Sequence, residues 1–231
     1  MTDAHLRFAP GKAQEAAAHS SKVGLVDALE PTPQGLHGAD IEVRLGDGVF
    51  FGDMTGNGVD DYIWIDWDGN LVIFVNRNSP PDTSKYPNGE AWDDKGVQLS
   101  TGLDIKALHI GDWNGDGKAD VIGVNKKTGE LTVWLTSYEN GSFSFNKITS
   151  GGTYCTNGWG VGRYDIAAHF ADILGNGCVD YICLDADGRA TAWMNHCSNG
   201  DFDLEYVGQV KAAIGGKERA NIRFADINGR F

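Results

Sequence analysis

No stretch of this 231-residue chain approaches the roughly 18 consecutive apolar residues of a membrane-spanning helix, so a membrane span is not expected. Basic residues are outnumbered, 19 Lys and Arg against 32 Asp and Glu, for a formal net charge of −13. Binding to a nucleic-acid backbone needs clustered cations, and that balance excludes it as a partner. Proline is scarce, at 6 residues. No HExxH, GxSxG or P-loop motif is present, which removes the commonest signatures of zinc proteases, α/β-hydrolases and nucleotide hydrolases. The four cysteines, Cys155, Cys178, Cys183 and Cys197, contain no CxxC pair, so a zinc site is not expected. They allow two disulfides in three alternative pairings, or buried free thiols.

Glycine, by contrast, is abundant: 32 residues, about twice the usual share, pointing to many tight turns. Hydrophobic residues make up 41% of the chain, enough for a core. No basic-then-apolar leader is visible at the start. The sequon Asn140-Gly141-Ser142 is a weak sign of secretion. The compartment reading leans toward secretion and leaves the cytoplasm open.

An internal repeat organises the chain. Phe51-Gly52-Asp53-Met54-Thr55-Gly56-Asn57-Gly58-Val59-Asp60-Asp61-Tyr62-Ile63 aligns with the segment from Ile110 to Ile122 and with that from Phe170 to Ile182. A fourth copy begins at Phe224-Ala225-Asp226. Each loop is followed by a short apolar run (62–65, 121–124, 181–184), a Gly-containing turn, and a run around a matched aromatic, Phe74, Trp134 or Trp193. β-branched and aromatic residues between Gly and Asp turns predict hairpin strands. About four strands per 54–60 residues is one propeller blade, and the expected fold is all-β. The units run 49–107, 108–167 and 168–221, with a partial unit at 222–231 and a degenerate blade or extension at 1–48. Closure into a four-bladed ring would come from pairing the chain ends, or a second copy would complete the array as a homo-oligomer.

Within each loop, oxygen-bearing residues alternate around a glycine, as a hard cation such as Ca2+ requires. The first site draws on Asp53, Thr55, Asn57, the Val59 carbonyl and Asp61. The second draws on Asp112, Asn114, Asp116, the Lys118 carbonyl and Asp120. In the third, Leu174 replaces one ligand, leaving Asp172, Asn176, the Cys178 carbonyl and Asp180. Two to three structural Ca2+ ions are expected, and no organic cofactor. An EF-hand would need Glu at the twelfth position, where this chain has Trp64, Gly123 and Cys183. The competing explanation is Asx turns closed without metal.

These loops, the strand–turn–strand spacing and the aromatic-x-Asn ends resemble FG-GAP/VCBS-type β-propeller repeats. Such repeats occur in integrin α-chains, in fungal and bacterial lectins and as tails of secreted hydrolases. The resemblance implies a calcium-stabilised propeller and is poor at specifying activity. Similar fungal lectins bind sugars between adjacent blades. Trp92, Tyr154, Trp159 and Tyr164, in polar Gly-rich segments, are the candidate sugar-stacking residues. His109 and His169, close to equivalent positions beside the inner strand, are further candidates for a central channel. The leading expectation is a lectin-like module taking a glycan or small molecule. The alternative is an enzyme on the same scaffold, either a secreted hydrolase or a cofactor-independent cyclase (a pericyclase of natural-product biosynthesis) that orients an apolar substrate.

Overall fold

A computed structural model describes residues 48–77, 92–162, 164–197, 201–213, 215 and 218–224. The expected N-terminal blade at 1–48 falls almost wholly outside these residues, as do most of the fourth unit and the Asp226 loop. Ring closure therefore rests on segments outside the described ones.

The described chain forms three antiparallel meanders of four strands each. The first contains β1 (Val49–Gly52), β2 (Asp61–Ile65), β3 (Asn70–Asn76) and β4 (Trp92–Ser100). The second contains β5 (Leu108–Gly111), β6 (Asp120–Val124), β7 (Leu131–Glu139) and β8 (Ser142–Thr149). The third contains β9 (Ala168–Ala171), β10 (Asp180–Leu184), β11 (Ala190–Asn195) and β12 (Leu204–Lys211). Helical structure among the described residues is limited to two single-turn 3-10 segments, Ile105–Ala107 and Arg219–Asn221. Four strands per unit and an all-β class were both legible in the repeat.

The burial of each strand follows from its sheet's place in the array. In β2, Ile63 and Ile65 are buried while Tyr62 and Trp64 are half-buried, the alternation expected of a strand with one fully covered face. Strands β6 and β10 are buried at all five positions, as strands covered on both faces are. Ile63, Ile65, Leu71 and Ile73 of the first sheet meet Leu108, Val121 and Trp134 of the second. Ile122, Leu131 and Val133 on the second sheet's other face meet Ala168, Tyr181 and Cys183 of the third. On the far face of the third sheet, Ile222 and Phe224 pack against Ile182, Leu184, Ala190 and Ala192. The start of the fourth unit thus docks on the third sheet. At the seam between the second and third units, a Cβ on Gly111 of β5 would come within 2.8 Å of Val179, in the loop that precedes β10.

The cysteines resolve to one of the three pairings, Cys155–Cys183 and Cys178–Cys197. Two disulfides are compatible with an oxidising, extracellular compartment. Among the described residues no helix is long and apolar enough to cross a membrane.

Candidate functional site

In a sequential antiparallel meander, the β1–β2 loop and the end of β3 lie at the same end of the sheet. The three acidic loops therefore share one rim. They are tied in series: Ala119 N–H donates to the Asp53 carbonyl (2.7 Å) and Val179 N–H to the Asp112 carbonyl (2.8 Å).

Each loop is built on two carboxylates with different duties. The first aspartate gathers the turn. Asp53 accepts from the backbone N–H groups of Gly56 (2.7 Å), Asn57 (3.1 Å) and Gly58 (2.7 Å). Asp112 accepts from Gly115 (2.7 Å) and Gly117 (2.8 Å). Asp172 accepts from Gly175 (2.6 Å), Asn176 (3.2 Å) and Gly177 (2.8 Å). The turn demands a left-handed residue, which is Gly58, Gly117 or Gly177, at φ of 86°, 81° and 90°.

The last aspartate is fully buried in all three loops and staples the loop to the end of the third strand. Asp61 accepts from Met54 N–H (2.9 Å) and Asn76 N–H (2.7 Å). Asp120 accepts from Trp113 N–H (2.9 Å) and Thr136 N–H (2.7 Å). Asp180 accepts from Ile173 N–H (2.8 Å), Leu174 N–H (2.9 Å) and Asn195 N–H (2.8 Å). This stapling role is additional to the ligand role expected for Asp61, Asp120 and Asp180. Its sequence signal was the aromatic-x-Asn end of the third strand in the first and third units, where Asn76 and Asn195 stand; Thr136 takes that place in the second.

Burial is the main cause that raises the Asp61 and Asp112 carboxyls above their ordinary range. Asp120 is pushed up to about 7, by burial first, with the charges of Asp112 and Asp116 adding to it. A nearby positive charge would relieve that penalty. Among the described residues no three His, Cys, Asp or Glu side chains are gathered within reach of one metal ion. The donor sets are mixed instead, carboxylates with amide, hydroxyl and carbonyl oxygens. In the second loop Asn114 Oδ1 accepts from Asp116 N–H (3.2 Å), and Asp116 accepts from Lys118 N–H (2.9 Å) while pairing with its ammonium (3.4 Å). In the first, Thr55 donates its hydroxyl to Asp53 (3.3 Å) and Asn57 Oδ1 accepts from Val59 N–H (3.0 Å). All of these ligand atoms are hard oxygens, and in the second loop each carboxylate oxygen retains a lone pair, so that loop fits a Ca2+ ion chemically. In the first, Asp53 Oδ1 is already taken by Thr55, Gly56 and Asn57, and Asp53 Oδ2 and Asp61 keep the lone pairs. An open depression between them is lined by Phe51, Asp53, Ile110, Asp112 and Lys118.

The aromatic candidates separate. Trp92 lies on β4, edge-on to Tyr62. Tyr154 is half-buried and packs on Tyr181 and Trp193, which makes it a core residue. Trp159 and Tyr164 belong together, in the connection between the second and third sheets at the end opposite the acidic rim. Trp159 is half-buried with the Lys126 ammonium 5.1 Å from its ring. Tyr164 is 53% exposed under the Arg223 guanidinium, 4.4 Å from the ring centroid. Lys106 fastens this connection by donating to the carbonyls of Gly160 (3.2 Å) and Val161 (2.9 Å), and Arg219 pairs with Asp165. That basic fastening was not anticipated from sequence.

The histidines face neighbouring inner strands. His109 is half-buried, with its Nε2 shielded and without a hydrogen-bond partner, and its ring lies 4.9 Å from that of Phe170. His169 Nε2 lies 3.1 Å from the Ile166 carbonyl, and its ring lies 5.6 Å from that of Phe224. The same His-on-Phe contact therefore recurs at successive seams.

No curated protein matches the chain. A chain of the Photorhabdus luminescens Tc holotoxin pore aligns with 74% of this chain at 17% identity and a TM-score of 0.43, and the alignment spans 7% of that much longer chain. The FG-GAP-like repeat family matches residues 112–183, from the second acidic loop through β10. Residues 112–183 are thus similar to an FG-GAP-like repeat, and the same loop, strands and spacing recur on either side of that span.

Proposed function

We propose that this chain is a calcium-stabilised, propeller-like binding module that takes a glycan, acts outside the cell and needs no organic cofactor. The observation that carries the calcium reading is the second loop, where half-buried Asp112 and fully buried Asp120 are both raised, by burial first, with the charge of Asp116 adding to each. Asp112, Asn114, Asp116, the Lys118 carbonyl and Asp120 would hold one ion. Asp53, Thr55, Asn57, the Val59 carbonyl and Asp61 would hold another. The ion supplies positive charge that pins the turn between strands.

Chelation tests this reading. Adding EDTA to calcium-saturated protein is expected to lower the melting temperature by about 5–10 °C for each ion withdrawn, the consequence of removing a ligand present at about 100 times its Kd. An unchanged melt would sink the calcium reading.

The glycan reading is supported by Trp159 and Tyr164, aromatic faces beside cations and backbone carbonyls. Such a surface can stack on a sugar ring while its polar rim bonds to hydroxyls. Binding on a glycan array without turnover is expected. Trp159→Ala and Tyr164→Ala should each weaken it about tenfold, the loss of a single good contact. Affinity unchanged by both substitutions would remove this surface from consideration.

A further inference from the structure

The three acidic loops are homologous in sequence, but they are not closed in the same way. In the second loop the position after Gly115 is Asp116, which offers only acceptors. In the first and third loops that position is an asparagine, whose amide crosses to the end of the third strand: Asn57 Nδ2 donates to the Asn76 carbonyl (3.1 Å) and Asn176 Nδ2 to the Asn195 carbonyl (2.7 Å). The third loop carries two further closures. Asp180 accepts three backbone N–H groups, one more than the two from Trp113 and Thr136 that staple Asp120. Cys178, at the position of Val59 and Lys118, is disulfide-bonded to Cys197, two residues beyond Asn195. The covalent bond therefore spans the same gap, from loop to strand end, that the asparagine and the buried aspartate span.

The same loop has lost a donor. Leu174 stands where Thr55 and Asn114 offer oxygen, and its side chain is 47% exposed. Cys178, in contrast, is fully buried, and its Sγ would lie 2.9 Å from a Cβ added to Gly115 of the second loop. The disulfide thus sits on the seam between the second and third loops.

We infer that the Cys178–Cys197 disulfide has replaced the cation of the third loop, so that the chain binds two calcium ions and holds its third loop covalently. This rests on the calcium reading of the first two loops. An ion contributes to stability only when calcium is present, whereas a crosslink holds wherever the compartment is oxidising. The third unit therefore keeps its shape at calcium levels that empty the other two.

The test is a calcium count on the full oxidised chain by equilibrium dialysis, with Ca2+ alone as the probe. Two ions per chain are expected. Asp112→Asn should reduce the count to one, and Asp172→Asn should leave it at two. In saturating Ca2+, the Cys178→Ser/Cys197→Ser double variant should melt about 6–12 °C below the parent, the shift expected for loss of a crosslink closing a loop of this size. Three ions on the parent, loss of an ion in Asp172→Asn, or a double variant melting with the parent would overturn the replacement. No bound ion at all would instead overturn the calcium reading, and the replacement with it. The parent count needs no variant to fold.

Discussion

Replacing Asp120 by alanine is expected to destabilise the chain by about 4–6 kcal/mol and lower its melting temperature by about 10–20 °C. Asp120 is fully buried and accepts from Trp113 N–H in the loop and Thr136 N–H at the end of β7. Alanine leaves both amides without an acceptor, and an orphaned buried donor costs about 1–3 kcal/mol. The remainder comes from the space left beside Trp113, itself fully buried between the second and third sheets. Asp120→Asn retains one carbonyl oxygen and should recover about half of the loss. Denaturant unfolding followed by circular dichroism measures both. An alanine variant within 1 kcal/mol of the parent would show that the staple is dispensable.

The second large effect concerns acid. Burial, with the nearby charge of His169 adding to it, depresses the His109 imidazole to about 3, against an ordinary 6.5. Between those values the unfolded chain binds a proton that the folded chain does not, so stability falls as pH drops from about 6.5 toward 3. The linkage is worth at most about 5 kcal/mol across that window. The raised carboxyls of Asp61, Asp112 and Asp120 act in the opposite sense. Their contribution is present at low pH and lost as pH rises through their folded values, up to about 7 for Asp120. The informative quantity is therefore the difference between two proteins. Phe50 occupies the position of His109 in the first unit, which makes His109→Phe the natural comparison. The variant should match or exceed the parent's stability at pH 7 and lose much less of it between pH 6.5 and 4. Parallel pH profiles for the two proteins would exclude His109 as the origin of the acid sensitivity.

Repetition made much of this legible in advance. A residue that recurs at a fixed interval is under the same geometric demand each time, and so Asp53, Asp112 and Asp172 mark a turn in the sequence itself. The runs at 62–65, 121–124 and 181–184 became β2, β6 and β10 with a shift of one residue at their starts. Features that differ between units were not legible. The cysteines occur once, and only three-dimensional placement selects among their pairings. Tyr154 lies in a polar stretch and reads as a surface residue, yet the connection folds it onto Tyr181 and Trp193. The double duty of Asp120 was half visible: oxygen donors were expected there, but the amides they receive come from Trp113 and from Thr136 on a strand further along.

The serial hydrogen bonds from Ala119 to Asp53 and from Val179 to Asp112 give the array the thermodynamics of a one-dimensional chain of neighbours. In such a chain the middle element has two interfaces to lose and an end element has fewer. Among the described sheets the second is flanked by another sheet on each face, so its loss breaks two sheet interfaces at once. Its loop is also, having Asp116 where its neighbours have asparagine, the least able to close itself. If the second loop holds the proposed calcium ion, that ion sits on the element with the greatest leverage over cooperativity, and calcium concentration would be felt as a change in how many sheets unfold together.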